Sequence, residues 1–176
     1  MIIVCGRYLF SNTDNTFINN IKKYYQNQLP FEVFQQIHFD EIRPTDKTVI
    51  FLNDENNKLI PQVMSWGLTI NKKRVINLRN ENGIARHYKP CLVIASGYYE
   101  WDQDTKQRYL FSTSNHLIIM AACYNNKNEF AIITEEANPT LSKIHNRVPL
   151  TIKKDEITSY FQGEIIHSNQ FSIKID

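Results

Sequence analysis

The sequence predicts an α+β fold: a β-rich domain built on a curved, barrel-like, mainly antiparallel sheet with a few short helices. Short segments rich in β-branched and aromatic residues outnumber the three modest amphipathic segments, which favours a sheet as the main layer. Repeated strand–helix–strand units are missing, so a parallel nucleotide-binding sheet is not expected. The 176 residues, 42% of them hydrophobic, suffice for one core and leave little room for a second. We therefore expect residues 1–176 to form a single domain.

The amino-terminal part is predicted to contain a strand followed by a helix. Residues 1–10 are rich in β-branched and aromatic types and predict the first strand. Thr13 or Asp14 can cap the helix, which ends at Leu29-Pro30 because proline disfavours a helical residue before itself. Its buried face is predicted from the spacing of four residues: Phe17, Ile21, Tyr24 and Tyr25.

Short strands are predicted to fill the next part of the chain. Their expected ranges are 31–39, 47–52, 63–70 and 74–79. Polar segments separate them, with a tight turn at Asn71-Lys72-Lys73. Asn82-Gly83 predicts a further turn with a short helix around it.

The central stretch, residues 91–101, holds the first candidate for chemistry. Leu92-Val93-Ile94 predicts a strand buried on both faces, because a continuous aliphatic run has no side for solvent. Gly97 permits a bend or bulge. Glu100 then lies among Tyr98, Tyr99 and Trp101, and a desolvated carboxyl group there would have a raised pKa suited to proton transfer. The alternative is a strand-end glutamate that points at water.

The carboxy-terminal part is predicted to contain a meander, two short helices and a last strand. An antiparallel meander is expected over 107–112, 116–124 and 129–134, with residues 125–128 as a hairpin loop. Asn138-Pro139 begins a brief helix that ends near His145. The final elements are a helix over 155–162, stopped by Gly163, and a strand over 171–175.

Composition excludes several classes of function. The chain has only five glycines and no glycine-rich phosphate loop, and its histidines and cysteines do not fall at zinc-ligand spacings, so neither a cofactor nor a metal is expected. A net charge of +2 neither requires nor excludes an anionic partner. Three cysteines without close pairing indicate a reducing compartment. With no signal peptide or membrane span in the sequence, we expect a cytoplasmic, monomeric protein.

Five short motifs, in order along the chain, resemble those of one family. They are Cys5-Gly6-Arg7, Trp66-Gly67-Leu68, Asn77-Leu78-Arg79-Asn80-Glu81, Tyr98-Tyr99-Glu100-Trp101 and His145-Asn146-Arg147-Val148-Pro149. Together they resemble the SOS response-associated peptidase family, whose members are also called abasic-site processing proteins. The resemblance implies a mixed β-barrel and an enzyme of the DNA damage response that recognises abasic sites in single-stranded DNA and becomes covalently linked to them.

The resemblance also implies roles for particular residues. An amino-terminal cysteine condenses with the aldehyde of the opened sugar to a five-membered thiazolidine, so Cys5 would be the reactive residue. Proton transfer would be assigned to Glu100 and His145, and Asn77 would position the amine or a sugar hydroxyl. The expected DNA contacts are phosphate binding by Arg7, Arg79 and Arg147 and base stacking by Trp66.

Two departures from the family pattern change these expectations. Residues 1–4 precede Cys5, which therefore has an amide nitrogen as written. Three explanations compete: translation begins at Val4, the leader is removed, or the covalent step is lost. In the segment that the family writes Tyr-Asn-x-Ala-Pro-Thr, this chain has Glu41 in place of the asparagine and Arg43 in place of the alanine. A tryptophan that the family carries shortly after Trp-Gly-Leu is also missing.

Two other functions remain open at this stage. One is a non-covalent module that binds abasic or single-stranded DNA, and the other is a thiol peptidase that removes its own leader. Each residue also has an ordinary interpretation. Without the resemblance, Cys5 and Trp66 would be core residues, and Arg79 and Arg147 solvated surface charges.

Overall fold

The structure is a computed structural model that describes residues 5–10, 16–164, 166, 168–170 and 173–175. The helices of these ranges are α1 (Thr16–Gln28), α2 (Phe31–Phe34) and α3 (Ile157–Phe161), with 3-10 turns at Asn80–Asn82, Ile84–His87, Leu141–Lys143 and Lys154–Glu156. The strands are β1 (Arg7–Phe10), β2 (Asp40–Ile42), β3 (Lys47–Asn53), β4 (Leu59–Trp66), β5 (Leu68–Ile70), β6 (Lys73–Val75), β7 (Asn77–Arg79), β8 (Lys89–Ala95), β9 (Gly97–Trp101), β10 (Arg108–Ser112), β11 (Ile118–Tyr124), β12 (Glu129–Glu136), β13 (Arg147–Pro149) and β14 (Lys174–Ile175).

The larger sheet curves until its pairing returns to the strand at which it began. Its order is β11-β8-β3-β4-β12-β13, and β11 also pairs with β12, which closes a ring of five strands. Most pairs are antiparallel, and the exceptions are the parallel pairings of β12 with β4 and with β7. The predicted curved, barrel-like and mainly antiparallel sheet is confirmed.

A second sheet, in the order β14-β10-β9-β1-β2, covers part of this ring. Its pairs are antiparallel, and β9 lies between β1 and β10. Because side chains alternate across a strand, one face of β9 carries Tyr98 and Glu100 and the other carries Tyr99 and Trp101. Tyr98 and Glu100 are buried, whereas Tyr99 and Trp101 are partly exposed.

Aromatic side chains join the two sheets through a common core. Tyr8 of β1 packs against Trp66 of β4 with a centroid distance of 5.2 Å, and Trp66 stacks on Phe130 of β12 at 6.3 Å. Trp66 is fully buried, and its indole N–H donates to the carbonyl oxygen of Ile76 at 3.0 Å. The core is therefore continuous from the second sheet into the ring.

Several sequence predictions are confirmed in detail. The central aliphatic strand is β8, which is buried from Cys91 to Ala95 as expected for a strand covered on both faces. The tight turn is formed by Asn71 and Lys72, which both have positive φ, and Gly83 lies between two 3-10 turns with φ of 64°. Residues 125–128 join β11 to β12 as a hairpin loop.

The strand predicted over 31–39 is wrong. Phe31–Phe34 is one helical turn that begins after Pro30, whose φ of −53° and ψ of 145° suit the residue before a helix. Proline presets this φ. Residues 31–39, for which a strand was predicted, lie mostly on the surface. The predicted face of α1 also needs correction, because Ile18 and Tyr25 are buried while Phe17 and Tyr24 are largely exposed.

The predicted three-stranded meander is only half correct. β11 and β12 pair with each other, but β10 belongs to the second sheet, so the chain passes between sheets after Ser112. The helix predicted after Asn138-Pro139 is a 3-10 turn, Leu141–Lys143, whose start is capped by the Asn138 side chain. Thr13, Asp14, residues 1–4 and residues 171–172 lie outside the described residues.

Candidate functional site

Glu100 is buried at the centre of the second sheet. It lies on the inner face of β9, and only 1% of its surface is exposed. Burial raises the pKa of Glu100 to about 8, because a carboxylate loses its hydration there, and one donated hydrogen bond lowers it slightly. The alternative of a glutamate that points at water is therefore wrong. A carboxyl group of this pKa can give and take a proton near neutral pH.

Cys5 provides that hydrogen bond. Its main-chain nitrogen donates to Glu100 Oε1 at 2.7 Å, across 95 residues of sequence. Cys5 is fully buried, and its φ of 44° lies in the left-handed region, which is uncommon for residues other than glycine. Burial, and next the charge of Glu100, raise the pKa of its thiol well above the usual range. The thiol is therefore protonated at neutral pH, and the nitrogen faces the acid.

Tyr98 is a further polar group beside this pair, and sequence analysis assigned it no role beyond that of an aromatic neighbour of Glu100. Its hydroxyl is buried and makes no hydrogen bond among the residues that the structure describes. Burial, followed by the charges of Glu100, Cys5 and Glu135, raises the pKa of Tyr98 well above its ordinary value. Tyr98 thus lies within electrostatic reach of both members of the pair and stays neutral.

His145 lies on a segment that contacts the end of β9. Gln103, which follows β9, donates from its side chain to Asn146 Oδ1 at 3.2 Å. His145 Nδ1 lies 3.0 Å from the carbonyl oxygen and 3.1 Å from the main-chain nitrogen of Arg147, and these two contacts fix the orientation of the ring. Burial lowers the pKa of His145, and its Nε2 is buried without a hydrogen-bond partner among the described residues. No hydrogen bond joins His145 to Cys5 or Glu100 within the same ranges.

Arg147 is a buried ion-pair residue. Its guanidinium makes two parallel bonds to Glu81, at 3.0 and 2.9 Å, and also donates to the Thr134 carbonyl oxygen at 2.8 Å. Only 8% of its side chain is exposed. The ion pair and hydrogen bond lower the pKa of Glu81 in spite of partial burial. This position suits a structural ion pair, and it differs from the phosphate contact expected for Arg147.

Asn77 and Arg79 are the two ends of β7. This short strand pairs in parallel with β12, so that Asn77 lies beside Ile132 and Arg79 beside Thr134. Asn77 is partly buried, whereas Arg79 is exposed. Arg79 and Arg147 therefore reach the same residue of β12 from two sides, one guanidinium in solvent and the other buried.

Arg7 and Trp66 complete the predicted set. Arg7 lies on the outer face of β1, pairs with Glu41 at 2.9 Å and lies over the Trp101 ring at 5.6 Å. Trp66 is fully buried between Tyr8 and Phe130 and presents no ring face to a base. Its position matches the core aromatic of the ordinary interpretation, and not the base-stacking residue that was expected.

Of the predicted site residues, one pair is therefore in direct contact, and the others lie on neighbouring segments of the sheets. Cys5 and Glu100 form this core pair, with Tyr98 beside them. The segment of His145 and Arg147 contacts the end of β9, and β7 brings Asn77 and Arg79 against β12. No group of three potential metal ligands occurs within the described ranges. No helix in that same part of the chain is both long and apolar enough to cross a membrane. The chemistry available at the core pair is proton transfer to and from a nitrogen.

A comparison with protein-family models places these residues in a known family. The model described as SOS response associated peptidase (SRAP) matches residues 4–173. The chain belongs to the SRAP family. This confirms the resemblance inferred from the five motifs, and the matched range includes both members of the core pair.

Relatives with sequence or structural similarity support this assignment. The chain is 25% identical to the abasic site processing protein YedK of Escherichia coli over an alignment of 182 positions, which covers 92% of this chain and 81% of YedK. A solved structure from Bacteroides thetaiotaomicron matches with a TM-score of 0.69 at 17% identity, covering 97% of this chain and 90% of that one. One from Bordetella bronchiseptica matches with a TM-score of 0.69 at 12% identity, covering 97% and 98%. These structures show that the SRAP chain shares their fold.

Replacing Arg147 by lysine tests its structural role. A lysine cannot make the two parallel bonds to Glu81, so we expect the free energy of unfolding to fall by about 1–3 kcal/mol. Arg79→Lys is the matched control, because this exposed arginine on the neighbouring strand should tolerate the change within about 0.5 kcal/mol. Urea denaturation of both variants measures the difference. Equal stability of the two would show that the buried ion pair does not stabilise the fold.

Proposed function

We propose that this protein processes abasic sites in single-stranded DNA by forming a covalent thiazolidine through Cys5. The observation that carries the proposal is the 2.7 Å contact between the Cys5 nitrogen and the buried Glu100. Membership of the SRAP family and the similarity to an abasic site processing protein support the choice of substrate. The reaction requires Cys5 to have a free α-amine, so residues 1–4 must be absent from the active form.

The proposed reaction uses both the α-amine nitrogen and the sulfur of Cys5. The neutral α-amine adds to the aldehyde carbon of the opened sugar, and loss of water gives a Schiff base. The Cys5 sulfur then adds to the same carbon, and the thiol proton moves to the nitrogen, which closes the five-membered ring. An α-amine has a pKa of about 7.7–8.0 and is partly neutral at pH 7, whereas a lysine near 10.4 is not. The ring closure conserves protons, because the proton that the sulfur loses is the one that the ring nitrogen gains.

Glu100 is the proton shuttle of this proposal. Its pKa of about 8 lies close to that of an α-amine, so a proton passes between them at little cost in free energy. The protonated carboxyl group would open the sugar by protonating its ring oxygen, and later assist the loss of water. Its oxygen already lies at hydrogen-bond distance from the reacting nitrogen, which is the geometry that general catalysis requires.

The surrounding residues have supporting roles in the proposal. His145 has a buried Nε2 with no hydrogen-bond partner among the described residues, burial lowers its pKa, and it would assist proton transfer at the same carbon. Asn77 would position the amine or a sugar hydroxyl. The exposed Arg79 and the partly exposed Arg7 are the guanidiniums available to DNA phosphates.

The alternative of a thiol peptidase is less well supported. Such an enzyme needs a thiolate, and burial together with Glu100 opposes ionisation of the Cys5 thiol. No imidazole contacts the Cys5 sulfur in the described ranges, where its polar contact is to the Arg7 carbonyl oxygen at 3.9 Å. The non-covalent binding module differs from the proposal only in lacking the covalent step.

A denaturing gel distinguishes the three functions. A form that begins at Cys5 and the full 176-residue chain are each incubated with an abasic single-stranded oligonucleotide. We expect a shifted band that survives denaturation for the form that begins at Cys5 and none for the chain with an intact leader. Absence of the band from the form that begins at Cys5 would refute the covalent proposal. Loss of residues 1–4 from the full chain on storage, detected by mass spectrometry, would support self-cleavage.

A further inference from the structure

The outer face of the second sheet carries a cluster of guanidiniums, of which the proposed function gives a role to Arg7 alone. Arg7, Arg43 and Arg108 surround the single carboxylate of Glu41, at 2.9, 3.1 and 3.9 Å. Three positive charges around one negative charge leave a local charge of +2, equal to that of the whole chain. We call this cluster, with the Tyr99 and Trp101 rings below it, the arginine platform.

Two guanidiniums of the arginine platform lie over aromatic rings. Arg108 lies over the Tyr99 ring at 4.4 Å, and Arg7 lies over the Trp101 ring at 5.6 Å. A guanidinium stacked on a ring keeps its N–H donors in the plane, directed sideways. Among the described residues the Arg108 guanidinium donates no hydrogen bond, and half of its side chain is exposed. Preformed donors of this kind match the oxygens of a phosphate.

Other acidic groups near the arginine platform do not neutralise it. Asp46 accepts from the main-chain N–H of Arg43 at 2.8 Å and lies 3.5 Å from His38, so it stabilises the turn after β2. Glu41 is partly buried and bonds Arg7 at 2.9 Å and Arg43 at 3.1 Å through the same oxygen. Glu41 thereby holds these two guanidiniums together. The side chains of Arg7, Arg43 and Arg108 remain 34%, 61% and 50% exposed to solvent.

The arginine platform is continuous with the candidate site. Arg7 is two residues from Cys5, and Trp101 directly follows Glu100. Extending the β1–β9 register by two residues from the Arg7–Tyr99 pair brings Cys5 level with Trp101. The core pair and the arginine platform therefore meet at the same end of β9, on opposite faces of the sheet.

We infer that the arginine platform binds the sugar–phosphate backbone of the DNA strand that flanks the abasic nucleotide. That the ligand is a DNA strand with an abasic site rests on the proposed function. That the strand contacts this surface rests on the arrangement of Arg43 and Arg108. Arginines that bind only phosphates read no bases, so the contact is independent of sequence. Binding at this surface lengthens the DNA segment that the protein recognises beyond the abasic nucleotide.

Binding of an unmodified 20-nucleotide single strand, followed by fluorescence anisotropy at several salt concentrations, tests the inference without the covalent step. We expect the double variant Arg43→Ala/Arg108→Ala to bind about tenfold more weakly than the unaltered protein. The slope of log K against log salt should fall in magnitude by about 1.4, or 0.7 for each lost phosphate contact. Lys58→Ala, which removes an exposed charge from the loop between β3 and β4, is the matched control and should bind normally.

Two further measurements test whether charge on the protein and on the DNA controls this binding. Glu41→Gln removes the competing carboxylate charge and should strengthen binding about threefold. An oligonucleotide with uncharged methylphosphonates in place of its phosphates should bind the double variant and the unaltered protein equally. Equal binding of the charged strand by those two proteins would overturn the inference.

The covalent assay separates this inference from the proposed function. A substrate with one nucleotide on each side of the abasic site is too short to cover the arginine platform, so its adduct should form equally fast with the double variant. If the unaltered form that begins at Cys5 gives no adduct with any substrate, the proposed function fails. The anisotropy measurements do not require an adduct, so they still decide whether the arginine platform binds DNA.

Discussion

Glu100→Gln is expected to slow adduct formation by about 10²–10⁴-fold in the form that begins at Cys5. The amide keeps an oxygen that can accept from the Cys5 nitrogen, so the geometry of the 2.7 Å contact is retained. It cannot give or take the proton, and loss of a general acid–base typically costs this factor. Single-turnover measurement of the adduct at pH 7 gives the rate. A rate within threefold of the unaltered protein would remove Glu100 from the mechanism.

The same variant is expected to be more stable than the unaltered protein at alkaline pH. The pKa of Glu100 is raised from its ordinary value near 4.5 to about 8, so the folded state binds more protons than the unfolded state between these limits. The stability of the fold therefore falls as pH rises through this window. At about 1.4 kcal/mol for each unit, Glu100→Gln should gain at most roughly 5 kcal/mol above pH 8 relative to its effect below pH 4.5.

Urea denaturation of both proteins at pH 5 and pH 9 measures this gain. Comparing the two proteins at each pH removes the contribution of the other carboxylates, which are common to both. Glu41→Gln is the control, because that carboxylate lies on the outer face of the sheet and is partly exposed. A difference between Glu100→Gln and the unaltered protein that does not grow with pH would show that Glu100 is ionised in the fold.

Cys5→Ser, made in the form that begins at residue 5, is expected to abolish the stable adduct. Serine keeps the α-amine, so the Schiff base still forms, but it has no sulfur to close the thiazolidine ring. The imine hydrolyses when the protein is denatured, and the shifted band should disappear from the gel. Borohydride, which reduces an imine to a stable amine, should restore it.

Two comparisons make the Cys5→Ser result specific. Cys91→Ser and Cys123→Ser remove the other buried thiols, which lie on β8 and β11, and should leave the yield of adduct unchanged provided the fold is intact. A stable adduct from Cys5→Ser without borohydride would show that another residue makes the link.

The sequence predicted the local environment of Glu100 better than it predicted the contacts of the arginines. An aliphatic run followed by aromatics around one carboxylate indicates burial directly, because each neighbour in sequence is also a neighbour on the strand. The Arg147–Glu81 pair spans 66 residues, and the Cys5–Glu100 contact spans 95. Pairs so far apart depend on which strands adjoin, and no local pattern contains that information.

The errors in the fold have similar physical causes. Residues 31–39 are rich in the aromatic and β-branched types that strands favour, but Pro30 fixes φ at the start of a helix, and this local preference outweighs the composition. The full burial of Trp66 depends on Tyr8 and Phe130, which are distant in sequence and therefore not part of any local pattern. The arginine platform was not predicted, because its members come from three strands and the loop after β2, and gather around Glu41 only after the sheet forms.

The central claim is that the nitrogen and the sulfur of Cys5 are bonded to the same carbon of the abasic sugar. Mass spectrometry of the digested adduct, after treatment with iodoacetamide under denaturing conditions, tests it most directly. The account predicts that the Cys5 peptide has gained the mass of the sugar fragment less one water, and that its sulfur carries no alkyl group. A sugar fragment found on a lysine, or on a Cys5 peptide whose sulfur is alkylated, would contradict it.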